Sequence, residues 1–194
     1  MPADQPSIPK QFLRLFLLSS VPIHLWSILM LLRDYSWVLG QHSLDDFVGY
    51  AGYALLAAFF ESLVVTGLLL LLGLLISDKW GPDKRLAIFM IALFSVSLWA
   101  LAGQVFFILR ESPPGWLAWF LLRLPYHRME AMIVLWLLVI ASIAVPVCYI
   151  LRGKMLVRSL LTIADRLAVL ASFYLVLDGF GFLLIVYRLV RGQG

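Results

Sequence analysis

Residues 50–76 read YAGYALLAAFFESLVVTGLLLLLGLLI. Glu61 is the one charged residue in this stretch. The run exceeds the roughly 20 residues that a helix needs to cross a hydrocarbon core. Its apolar residues do not alternate at period two, which excludes a barrel strand and leaves a spanning helix. Four more stretches have the same character, 12–32, 86–109, 131–151 and 167–187. The sequence therefore predicts an all-α integral membrane protein, a bundle of five transmembrane helices. The stretch 50–76 is long for one crossing and should tilt or protrude.

Composition agrees. Of the 194 residues, 63% are hydrophobic and 13% charged, against roughly 45–50% and ~25% in a soluble domain. Mean hydropathy is +0.98. A soluble enzyme or a free nucleic-acid binder of this size could not hide so much apolar surface, and a disordered chain would be far more polar. The single cysteine, Cys148, excludes an intrachain disulfide, a CxxC redox pair, a cysteine zinc site and an iron–sulfur cluster. The net charge of +4 fits loops facing anionic lipid, so membrane lipid is the expected partner and nucleic acid is not.

The connections are short. Residues 1–10, MPADQPSIPK, read as a wet terminus. The apolar stretch that follows is too long for a signal-peptide core and has no small-x-small cleavage site, so it reads as an uncleaved span. Residues 33–49, 77–85 and 152–154 are polar links. Pro113, Pro114 and Gly115 precede Trp116, Trp119 and Phe120, and Pro125 ends that run. The 116–124 segment is too short to span and reads as a short interfacial segment between spans three and four. Between spans four and five, Leu156, Leu160, Ile163 and Leu167 share one face and Arg158, Thr162, Asp165 and Arg166 another. Periodicity leaves open whether 155–166 lies on the membrane or extends the fifth helix. No linker or repeat divides 1–194, which reads as one domain. Five spans put nine Lys and Arg on the N-terminal side and six on the other. That bias predicts a cytoplasmic N-terminus and a C-terminus outside.

A carboxylate at the bilayer centre costs about 2.5–3.5 kcal/mol on insertion scales, so it usually faces protein or water. The candidate polar residues are His24, Glu61, Gln104, Glu130 and Asp178. Ala54, Ala58, Ser62 and Thr66 recur every four residues along the second span, as small residues do where helices approach closely. Glu61 lies within about 20° of Ala54 in angle and is read as sharing that face. Ala164, Ala168 and Ala171 share a face with Asp178. Both acids are therefore expected inside the bundle. Each also has a plain structural reading, a hydrogen bond to the next helix that fixes register. His42, His127 and Arg128 read as boundary residues on the outer side, and their spacing gives no metal site.

Catalytic motifs are absent from the sequence. It has no HExxH, GxSxG or P-loop, and Gly179-Phe180-Gly181 lacks the third glycine of a dinucleotide site. No cofactor is expected. The leading reading is a non-enzymatic subunit or scaffold of a membrane assembly that handles a lipid or ion, with a second copy or another membrane protein as partner. The alternatives are an intramembrane enzyme acting on a lipid-linked substrate, and a small proton-coupled transporter acting as a homodimer.

Overall fold

The structure, a computed structural model, describes residues 8–41, 43–75, 80–105, 115, 118–119 and 127–191. Among them are five helices and no strand: α1 (Ile8–Gln41), α2 (Leu44–Leu75), α3 (Pro82–Gly103), α4 (His127–Arg152) and α5 (Lys154–Arg191). All five are long and apolar enough to cross a membrane. The 116–124 segment lies outside the described residues except for 118–119.

Two helices extend beyond their apolar cores. α1 continues through residues 33–41, where the polar composition suggests a link. No Gly or Pro interrupts 33–39, and the polar groups stay on the helix surface, with Arg33 Nε–H donating to Asp34 Oδ1 at 2.6 Å. Tyr35 meets Phe47 edge-on at 5.1 Å, which holds the end of α1 against the start of α2. A reciprocal capping box then starts α2. The Ser43 hydroxyl accepts from the Asp46 N–H at 3.2 Å, while the Ser43 N–H donates to Asp46 Oδ2 at 3.1 Å.

α5 is likewise one continuous helix, so 155–166 extends it instead of forming a separate element. The Gly153 N–H donates to the Tyr149 carbonyl at 2.9 Å, closing α4 one residue before α5 begins. The buried stripe of α5 is not the Leu156/Leu160/Ile163 face: Leu156 and Ile163 are exposed, while Val157, Ala164 and Ala171 are buried. The sorting by size has a physical cause. In an apolar solvent large side chains gain little by turning inward, and small ones let helix backbones close on each other.

The described residues of Met1–Leu86 and Leu160–Gly194 form one compact unit, and those of Ala87–Ser159 a second. In the first unit α2 runs antiparallel to α1, with Tyr35 beside Phe47 at one end and Ser19 beside Thr66 further along. α5 runs parallel to α1: Arg14 lies 3.9 Å from Asp165, and His24 lies 2.9 Å from Asp178. α2 and α5 cross at Gly52 and Gly181. A Cβ on Gly181 would stand 3.1 Å from the Gly52 carbonyl oxygen and 3.4 Å from its Cα. Near the same end, the Arg188 guanidinium donates to the Asp45 carbonyl and lies across Gly49.

In the second unit Trp99 Nε1–H donates to Ser142 Oγ at 3.1 Å, and Ser142 donates to the Val139 carbonyl at 2.7 Å. α4 is the least covered helix: 6% of its most apolar window is buried, against 39% for α1.

The glycine crossing makes a paired prediction. Gly181→Leu should destabilise the detergent-solubilised protein by about 1–3 kcal/mol, because the helix backbone opposite cannot yield to the added side chain. Gly179→Leu should be neutral or better, since a Cβ there meets nothing within 4 Å. Thermal unfolding of both variants is the check, and equal midpoints would contradict the close crossing.

Candidate functional site

α1 brings three polar residues to its packed side. Ser19, Ser20 and His24 are each 0% exposed. Ser19 faces α2, where Ser62 and Thr66 are also fully buried. The Thr66 hydroxyl donates to the Ser62 carbonyl at 2.7 Å, so its oxygen is free to accept from Ser19 at 2.7 Å. Ser62 in turn donates to the Ala58 carbonyl at 2.7 Å. Three hydroxyls are thereby satisfied without water, two of them within α2 itself.

His24 faces α5 instead. Its Nε2 lies 2.9 Å from Asp178 Oδ1, and its Nδ1 lies 2.9 Å from the Ser20 carbonyl oxygen one turn earlier. A carbonyl can only accept, so Nδ1 carries a hydrogen. Tyr174 stacks on the imidazole with centroids 5.1 Å apart and planes 10° from parallel. Val21 and Ala171 pack beside Tyr174, with Leu17, Ile28 and Leu167 around them. Ala171 is 0% exposed, and its small side chain is what allows α1 this close. The Asp178 side chain is 6% exposed. Its second oxygen, Oδ2, is buried with no hydrogen-bond partner among the described residues.

The other candidates lie elsewhere. Glu61 is exposed on α2 and takes no part in the pair, unlike the buried position its neighbours suggest. The reason is angular. At about 100° per residue, Ala58, Ser62, Thr66 and Leu69 lie within about 80° of one another, and Glu61 stands about 100° from Ser62. Ala54 marks only the flank of that face and is half-buried, as Ala168 is on α5. Ala164 is buried. Gln104 is partly covered in a π-helical turn following α3. His42 lies outside the described residues, as do the side chains of His127, Arg128 and Glu130. No three His, Cys, Asp or Glu side chains come together among the described residues. A groove of about 240 Å³ is lined by Ala144, Val145, Cys148, Tyr149 and Arg152 on α4, and neither His24 nor Asp178 is part of it.

Sequence reasoning passed over Ser19, Ser20 and Tyr174. The signal for Tyr174 was the seven-residue spacing of Val157, Ala164, Ala171 and Asp178, whose intermediate positions include Leu167, Tyr174 and Gly181. Ser19-Ser20 was visible as a polar pair one turn before His24 within an apolar span. Comparison with protein-family models, with curated proteins and with solved structures finds no match.

Substitutions at Asp178 separate shape from apolarity. Asp178→Asn keeps a carbonyl and adds an N–H that can donate to His24 Nε2, so thermal stability should stay close to the parent's. Asp178→Leu leaves that nitrogen buried without a partner and should cost about 1–3 kcal/mol. A Leu variant as stable as the parent, measured by thermal unfolding in the same detergent, would mean that the pair does not hold α1 to α5.

Proposed function

We propose that this chain is a non-enzymatic multi-pass membrane protein that serves as a subunit or scaffold of a membrane assembly. One observation carries the reading. The polar pair in its first unit is buried: His24 Nε2 and Asp178 Oδ1 meet 2.9 Å apart between packed helices, with their side chains 0% and 6% exposed. A substrate-handling site needs convergent polar groups at an opening. A pair sealed among apolar walls instead fixes two helices in register.

The membrane setting follows the same reading. α1 and α5 point the same way, which requires an odd number of crossings between them, and α2, α3 and α4 supply three. That parity favours five spans with 116–124 at the interface. The charge bias then puts the N-terminus in the cytoplasm and the C-terminus outside. Lipid or a protein partner, a second copy included, covers the large apolar side chains that the isolated chain exposes. A second reading, a small proton-coupled transporter acting as a homodimer, has the His24–Asp178 pair itself in its favour, because intramembrane acid and histidine chains are the usual carriers of protons.

α4 gives the test. Trp136 is 64% exposed there. With a photoreactive residue in place of Trp136, irradiation in the membrane where the chain is naturally expressed should give a protein adduct of one defined mass. The same residue placed at Ala58, which is 1% exposed, should give none. Lipid adducts alone from position 136 would overturn the subunit reading.

A further inference from the structure

We propose that His24 and Asp178 together form a binding site for one proton, and that this proton keeps α1 and α5 in contact. The inference does not rest on the scaffold reading, since it concerns the helix contact and not what the assembly does.

Hydrogen-bond accounting comes first. Nδ1 must donate to the Ser20 carbonyl, 2.9 Å away. Nε2 and Asp178 Oδ1 are also 2.9 Å apart. Two arrangements fit that contact: an imidazolium donating to a carboxylate, or a neutral imidazole accepting from a carboxylic acid. Each places one proton between the two atoms, and each leaves the pair neutral as a whole. Removal of that proton leaves a neutral imidazole and a carboxylate, and either tautomer then fails. With hydrogen on Nδ1, two lone pairs meet across the Nε2–Oδ1 contact. With hydrogen on Nε2, the bare Nδ1 faces the Ser20 carbonyl. In both cases a net negative charge is left buried.

The described residues of the first unit supply no substitute. On α1 the nearest cations described are Arg33, nine residues beyond His24 and bonded to Asp34, and Arg14, ten residues before it and beside Asp165, about 14 and 15 Å away along the helix. On α5 the ionisable group facing the imidazole besides Asp178 is Tyr174, which presents its ring face. Arg188 lies ten residues beyond Asp178 and donates to the Asp45 carbonyl. α2 meets α1 with the hydroxyls of Ser62 and Thr66, while its Glu61 is exposed elsewhere on the helix. Asp178 Oδ2 has no donor among the described residues to take up a developing charge. Loss of the proton therefore acts on the contact between the helices.

Two measurements on the full chain in lipid nanodiscs test the proposal. The sequence has three histidines, so His42→Gln with His127→Gln leaves His24 alone for nitrogen-15 NMR. At low pH the spectrum should show a protonated Nδ1 and a proton shared at Nε2. A bare Nδ1 overturns the proposal outright. Spin labels at Leu29→Cys and Phe182→Cys, on a Cys148→Ser background, report the α1–α5 distance from exposed positions. As pH rises, that distance should lengthen or broaden with the same midpoint as proton loss from Nε2. Asp178→Asn should hold the short distance at every pH, because its amide supplies the hydrogen covalently. Three results overturn the proposal: a distance unchanged while the proton leaves, a proton that stays until the protein unfolds, or an Asn variant that responds to pH as the parent does. The NMR and the parent's distance decide the matter even if the Asn variant does not fold.

Discussion

A hydrocarbon layer offers a polar atom nothing to bond with, and the core of this protein is arranged around that constraint. Each buried polar side chain on α1 meets a group on its own helix or a neighbour. Ser19 bonds across to Thr66, and Ser20 donates back to the Leu17 carbonyl. His24 spends one nitrogen on its own helix and the other on α5. The polar contacts therefore divide α1 between two partners, the Ser19 hydroxyl toward α2 and the imidazole toward α5. A rotation of α1 that improved one set would break the other. Apolar packing without such contacts would leave more than one rotation nearly equal in energy, since the surrounding lipid is as apolar as leucine.

Small residues make the arrangement reachable. Ala58 admits α1 to α2, Ala171 admits it to α5, and Gly52 with Gly181 lets α2 and α5 cross backbone to backbone. The large side chains turn outward: Phe60, Val64 and Leu68 on α2, and Phe173, Phe180 and Leu183 on α5, are all exposed. On α2 and α5 the packed face is thus mostly small residues, while α1 brings Leu15, Phe16 and Leu18 to the core and the buried hydroxyls keep their hydrogen bonds.

Much of this could be read from the residues. The five apolar runs, the Ala58/Ser62/Thr66 spacing and the oddity of an aspartate at 178 all stand in the primary structure. Three things did not. The ends of α1 were hidden because polar composition near Arg33 and Asp34 resembles a link, whereas a helix can carry such residues on an exposed turn. The direction of Glu61 was hidden because the alanine at 54 pulled the apparent centre of the α2 face to one side. The partnership of His24 with Asp178 was hidden for a deeper reason: 154 residues separate them, and helical periodicity says which side a residue occupies but not which helix lies opposite. Only packing settles that choice, and it does so through residues as small as Ala171.

The parallel alignment of the first and last helices also orders events during synthesis. α1 and α2 are adjacent in the chain and can pair as a hairpin as soon as both have left the ribosome. Asp178 emerges 154 residues after His24, an interval of roughly 8–30 s at about 5–20 residues per second. Through that time the imidazole has no α5 to meet. The first helix therefore enters the bilayer with an unmet polar group midway along it, held by α2 on one side and open on the other. α5 completes the core of this unit, and a chain cut short before α5 would carry that opening permanently, as a mark that membrane quality control could read.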